Sequence, residues 1–160
     1  MKHKSKRRLV REKVMQILFA NQMNNDSLPL LVDEILHDVD TGADHDFANE
    51  LIDNVLKHVD ELDTMIKKRV TNWEMNRIAL VDRILLRIGI CELLYFPDIP
   101  PKVSINEAIE ISKEYSTAGS AKFINGILDA ILSDEKSSGR LNKKGRGLVE
   151  ESLSKSPEVK

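Results

Sequence analysis

Seven cations fall within the first thirteen residues: Lys2, Lys4, Lys6, Arg7, Arg8, Arg11 and Lys13, against the single acid Glu12, a net of +6. Such an arm is an electrostatic footprint for a polyanion. The following residues, up to Gln22, have the period of a helix. At about 100° per residue, Val10, Val14, Ile17 and Leu18 form a core stripe bordered by Arg7 and Arg11. Arg8, Glu12, Gln16 and Phe19 project from the other side, with Met15 nearby. A ring among guanidinium groups suits single-stranded nucleic acid, whose bases stack on aromatics while arginines neutralise phosphates. Packing of Phe19 on a second helix is the alternative, and the sequence leaves both open.

A second candidate is Ser120-Ala121-Lys122-Phe123, at the start of the last predicted helix. Backbone amides at a helix N-terminus favour anions, and Lys122 adds a charge. Phe123 also fits that helix's apolar stripe, so core packing competes with a ligand contact.

Other chemistries find little support. The four histidines (His3, His37, His45, His58) lie apart, and Asp44-His45-Asp46 lacks the i, i+4 ligand spacing of a helical metal site, so no metal is expected. Cys91 stands alone in the most apolar segment and reads as a small core residue. It permits no internal disulfide, which fits a reducing compartment. No phosphate-cradling glycine loop is present, and neither a catalytic site nor a cofactor is expected.

The elements that must position these residues are helical. With 160 residues, 41% hydrophobic and 31% charged, the chain has enough apolar material for one domain and is not of disordered composition. Helical spacing continues through Leu30–Val39, Phe47–Val55 and Val59–Val70. Asn72-Trp73-Glu74 breaks it before Ile78–Phe96, which is apolar almost all round and reads as the central buried helix. Pro97, Pro100 and Pro101 stop that helix. Ser104-Ile105-Asn106-Glu107 reads as a capping box opening the next one. A break at Tyr115–Ser120 precedes the last helix, with Phe123, Ile124, Ile127, Leu128, Ile131 and Leu132 on one side. The expected fold is all-α, with about seven helices.

Residues 24–65 hold twelve acids against Lys57 alone, a net of −11, so a total charge of −2 conceals a basic arm beside an acidic stretch. That stretch reads as a solvated helix face, with partner binding or repulsion of non-target RNA as alternatives. Residues 135–160 are rich in Ser, Lys, Gly and Glu and read as a flexible polar tail, whose Lys143, Lys144 and Arg146 add weak polyanion affinity. No membrane span or secretory signal is read, and a cytoplasmic location follows.

Several stretches together resemble one family. Arg7-Arg8-Leu9-Val10-Arg11-Glu12 with Gln16-Ile17-Leu18-Phe19 is similar to the arginine-rich opening helix of the bacterial transcription antitermination factor family NusB. The central Val81-Asp82-Arg83-Ile84-Leu85-Leu86-Arg87-Ile88 resembles it as well, as do Pro101–Glu110 and Lys122-Phe123-Ile124-Asn125-Gly126. The resemblance runs in order over residues 5–134. It implies two small helical bundles forming one compact unit, residues 1–134, followed by the tail. It implies binding of boxA-containing single-stranded RNA in ribosomal RNA leaders, jointly with the ribosomal protein NusE, within an antitermination complex on RNA polymerase.

Carried onto this chain, the RNA surface comprises Lys6, Arg7, Arg8, Arg11, Gln16 and Phe19, joined by Ser120, Lys122 and Phe123, and Asp82 matches a NusE-contacting position. Leu9 interrupts an arginine run common in the family, Phe19 replaces a common tyrosine, and Ala118-Gly119 lacks an acid often found there. A related family fuses this helical domain to an RNA cytosine methyltransferase; the 26 residues after 134 leave no room for that enzyme. A self-associating interaction module, hiding the basic face in a homodimer, is the alternative. If about four phosphates are neutralised, log affinity falls with log salt at a slope near −3.

Overall fold

The computed structural model describes residues 3–149. Among them are eight α-helices and one short 3-10 turn, with no strand. Helix α1 (Lys6–Asn24) opens at Ser5, whose hydroxyl accepts from the Arg8 amide at 3.1 Å, and closes at Asn25 in the left-handed region. Helix α2 (Leu28–Ile35) carries proline in its first turn, where a missing N–H costs nothing. Gly42, at φ 132°, makes the turn into α3 (Ala43–Lys57). Asp44 and Asp46 in the first turn of α3 and Lys57 in its last complement the helix dipole.

Helices α4 (Val59–Lys67) and α5 (Asn72–Arg77) follow. The stretch around Trp73, expected as a break, is thus a short helix. A capping box supports it: the Glu74 amide donates to Thr71 Oγ1 at 3.0 Å, and the Thr71 amide donates to Glu74 Oε2 at 2.7 Å.

Helix α6 (Leu80–Tyr95) is the axis of the molecule. Ile84, Leu85, Leu86, Ile88, Ile90, Cys91 and Leu93 are all buried, as expected of the most apolar segment. It packs on α1 and α3 from the first half of the chain, on α4, and on α7 (Pro101–Tyr115) and α8 (Ala118–Ser137), which also pack on each other. Two helical groups therefore share one central helix. Gly89 allows the α6–α8 approach, since a Cβ there would meet Leu128 Cδ1 at 2.9 Å.

Two local expectations change. Helix α7 begins at Pro101, so Ser104 and Glu107 lie inside it and form no capping box. Ser104 instead donates to Glu92 at 3.0 Å, and Glu107 accepts from Arg8. Proline at the first helical position had already supplied the start.

The segment expected as a polar tail, from residue 135 on, begins inside a helix. Helix α8 runs to Ser137, and the chain then folds back as a strap ending in a 3-10 turn at Gly145–Leu148. Lys143 Nζ donates to the carbonyls of Glu92 and Phe96 at 3.0 and 2.9 Å, so it caps the C-terminus of α6. The Lys144 amide donates to Pro97 O at 3.0 Å. The rest of the expected tail, residues 150–160, lies outside the described residues.

Candidate nucleic-acid interface

The basic arm is built on α1, and the structure shows what each cation does. Arg11 is withdrawn from the surface. It is 4% exposed and forms a two-pronged pair with Glu92, at 2.9 and 2.7 Å. Burial works against its charge, and Glu92, by charge and hydrogen bond, more than restores it, so the guanidinium titrates above its usual value. Its guanidinium is almost wholly covered, because the residue borders the core stripe and α6 supplies a buried carboxylate. Arg11 is therefore removed from the expected RNA surface.

The remaining arm lies on an edge between α1 and α7. Arg8 Nε donates to Glu107 Oε2 at 2.7 Å and its Nη2 to Oε1 at 3.2 Å. The hydrogen bonds to Glu107 raise the Arg8 pKa above its ordinary value. Lys4 bridges Glu12 at 2.9 Å and Glu114 at 2.6 Å, and those hydrogen bonds raise its pKa as well. Gln16 donates to the Tyr115 hydroxyl at 3.3 Å. Arg7 faces the other way, bonding Asp44 at 2.8 Å with its guanidinium 4.3 Å above the Phe47 ring. Lys6 is exposed and carries no ion pair among the described residues.

The acidic stretch is thus not simply a solvated face. Asp44 answers Arg7, Asp38 answers Lys13 at 3.0 Å, and Asp63 grips Arg87 at 2.7 and 2.9 Å. Much of the arm's charge is already balanced inside the molecule.

The second group of expected residues sits where α7 turns into α8. Thr117 caps α8 by accepting from the Ser120 amide at 3.0 Å. Lys122 is exposed and unpaired among the described residues. Phe19 and Phe123 are both half-buried and pack on the core, as the packing reading expects, with part of each ring left exposed. Asp82 is turned inward at 6% exposure and accepts from Ser120 Oγ at 2.6 Å.

Sequence reasoning misplaced three contributors. Tyr115, read as part of a break, ends α7 as an exposed ring beside Gln16. Glu107, read as a cap, is the counter-ion of Arg8. Arg146, on the docked strap, lines the same groove as Ser5 and Arg7. Tyr115 had a usable signal, an aromatic at a helix end near the basic stretch; the other two depend on tertiary contacts.

Fold and site together define an all-helical protein with a cationic, aromatic-bearing edge along its first helix. A sequence profile of the NusB family matches residues 8–133. The transcription antitermination protein NusB of Chloroherpeton thalassium is 48% identical over 90% of this chain and 69% of its own length. The Salinibacter ruber protein of the same name is 47% identical over 91% of this chain and 92% of its own. The solved structure of T. maritima NusB superposes with a TM-score of 0.74 at 36% identity, covering 83% of this chain and 93% of that one. A structure of NusB and NusE in complex with dsRNA shares the fold, with a TM-score of 0.73 at 24% identity over 81% of this chain and 97% of that one. The chain belongs to the NusB family of transcription antitermination proteins. None of its described helices is long and apolar enough to cross a membrane.

Proposed function

We propose that this chain binds the boxA element of ribosomal RNA leader transcripts together with NusE, and that the pair acts in a cytoplasmic antitermination complex on RNA polymerase. The observation that carries this reading is the edge formed by α1 and α7. It presents Arg8, Gln16 and Tyr115, with Lys6 exposed at the start of α1, and leads to the start of α8, where Lys122 is exposed. Family membership and the shared fold of the NusB–NusE complex with RNA support it.

The chemistry is electrostatic capture followed by stacking. With Arg7 turned to Asp44, Lys6, Arg8 and Lys122 supply about three phosphate contacts, so log affinity falls with log salt at a slope near −2. Exposed parts of Phe19, Tyr115 and Phe123 offer base-stacking surface. Asp82, which the family resemblance matches to a NusE-contacting position, lies buried beneath the α7–α8 turn.

The test is a titration with boxA-like RNA, with and without NusE, comparing the unaltered chain with Arg8→Glu and Phe19→Ala. Both variants bind more weakly if the edge is the RNA surface. Unchanged affinity in both places the RNA elsewhere, and an affinity indifferent to salt removes the electrostatic account.

A further inference from the structure

We propose that Asp82 is the positioning residue of the α7–α8 turn, holding through Ser120 the segment that carries Lys122 and Phe123; this rests on the RNA reading of that surface. The carboxylate sits in the first turn of α6, where the helix dipole favours a negative charge. Only 6% of the residue is exposed, so a macromolecule docking on this surface reaches little of it.

Its partner is specific. Ser120 Oγ commits its single proton to Asp82 Oδ2 at 2.6 Å. The hydroxyls of Ser116, at 2.9 Å, and Thr117, at 3.0 Å, then donate to Ser120. Thr117 in turn caps α8 through the Ser120 amide. Three hydroxyls and a helix cap thereby converge on one carboxylate contributed by a different helix.

That anchor matters because Asp82 is, among the described residues, the only side chain from outside residues 116–120 that bonds to the side chains of the turn. Ala118 and Gly119 form the first turn of α8, and a Cβ at Gly119 would meet only Thr117 Oγ1, at 3.7 Å. Lys122 lies two residues beyond Ser120 and is exposed, so its position follows that of the turn. Asp82 Oδ1 is buried with no hydrogen-bond partner among the described residues. Burying a half-satisfied carboxylate is costly, and the bond to Ser120 is the contact that offsets it. Asp82 acts here from inside the protein, upon the RNA-facing turn.

The experiment measures affinity of the full chain for a boxA-like RNA oligonucleotide, with amide hydrogen exchange over residues 116–122 and a melting temperature for each variant. Asp82→Ala and Ser120→Ala each weaken RNA binding by about five- to tenfold, less than the full worth of one charged hydrogen bond because the loss reaches the RNA only through the turn. The double variant is no weaker than the weaker single one, because both remove the same contact. Asp82→Asn keeps a carbonyl oxygen for Ser120 and stays within about twofold of the unaltered chain. The salt slope is unchanged in all of these, whereas Lys122→Ala makes it shallower by about 0.7. Exchange quickens in the turn of the alanine variants.

An additive double variant overturns the proposal, as does an Asp82→Asn loss equal to that of Asp82→Ala. Asp82→Ala that loses affinity for NusE while holding RNA normally also overturns it, returning Asp82 to the partner side. If Asp82→Ala does not fold, Ser120→Ala carries the same prediction alone. A chain that binds no RNA even when unaltered removes the surface reading itself, and the proposal falls with it.

Discussion

Arg8 and Glu107 face each other across the seam of α1 and α7, joined by guanidinium contacts of 2.7 and 3.2 Å. On the proposed RNA surface Arg8 is therefore already held by a carboxylate of the same molecule. A phosphate bound there as proposed takes the place of Glu107 or shares Arg8 with it.

Glu107→Gln is expected to raise RNA affinity by about two- to fivefold, since a partly exposed pair contributes at most about 1 kcal/mol. Stability falls by no more than that amount. The measurement is an RNA titration at fixed salt beside a urea melt; weaker RNA binding in the variant would show that Glu107 orients Arg8 for its ligand.

Arg11 behaves oppositely. Removing it leaves the Glu92 carboxylate buried at 1% exposure, with only Ser104 bonded to it among the described residues. Arg11→Ala should cost about 3–5 kcal/mol of stability, read from urea unfolding. RNA affinity per folded molecule stays within about twofold at temperatures below the melt. A large loss of RNA binding in a fully folded variant would return Arg11 to the interface.

The strap makes stability depend on pH. Burial lowers the Lys143 pKa from 10.5 to about 8. Between those values the unfolded chain binds more protons than the folded one, so this residue's contribution rises with pH across the window. Below about 8 both states are protonated and the contribution is flat. In Lys143→Met that rise disappears, and comparing melting temperatures of the two chains at a pH below the window and one inside it checks the sign.

Gly147→Ala should detach the strap. A Cβ at this position would lie 2.0 Å from Pro97 O, a backbone atom that cannot step aside. Expected is faster hydrogen exchange at residues 140–148 and a loss of about 1–3 kcal/mol, the usual cost of a forced clash. Exchange identical to that of the unaltered chain would mean that the strap does not depend on this contact.

Most of the helical framework was legible because each helix repeats its apolar residues at its own period, and burial follows that repeat. Val10, Val14, Ile17 and Leu18 are buried on α1, and Ile124, Ile127, Leu128 and Ile131 are buried on α8. Punctuation was harder. The Ser104 and Glu107 spacing has the form of a cap, yet both side chains find partners on other helices, and Pro101 had already opened the helix. At α5 the local signal was present in Thr71 and Glu74, hidden by a short apolar pattern around Trp73.

The sequence by itself determined that the chain is helical, that its cations gather on the first helix, and which family it resembles; periodicity, local charge and motif order are properties of the linear chain. Tertiary structure decided which of those cations face solvent. Arg8 and Arg11 are three residues apart on one helix, yet one meets Glu107 at a partly open seam and the other Glu92 in the core. The same packing turned Asp82 toward Ser120 and tied Lys143 to the end of α6. Whether a charge is a ligand site, a counter-ion or a brace depends on what the other helices bring within about 3 Å of it, and no local spacing encodes that.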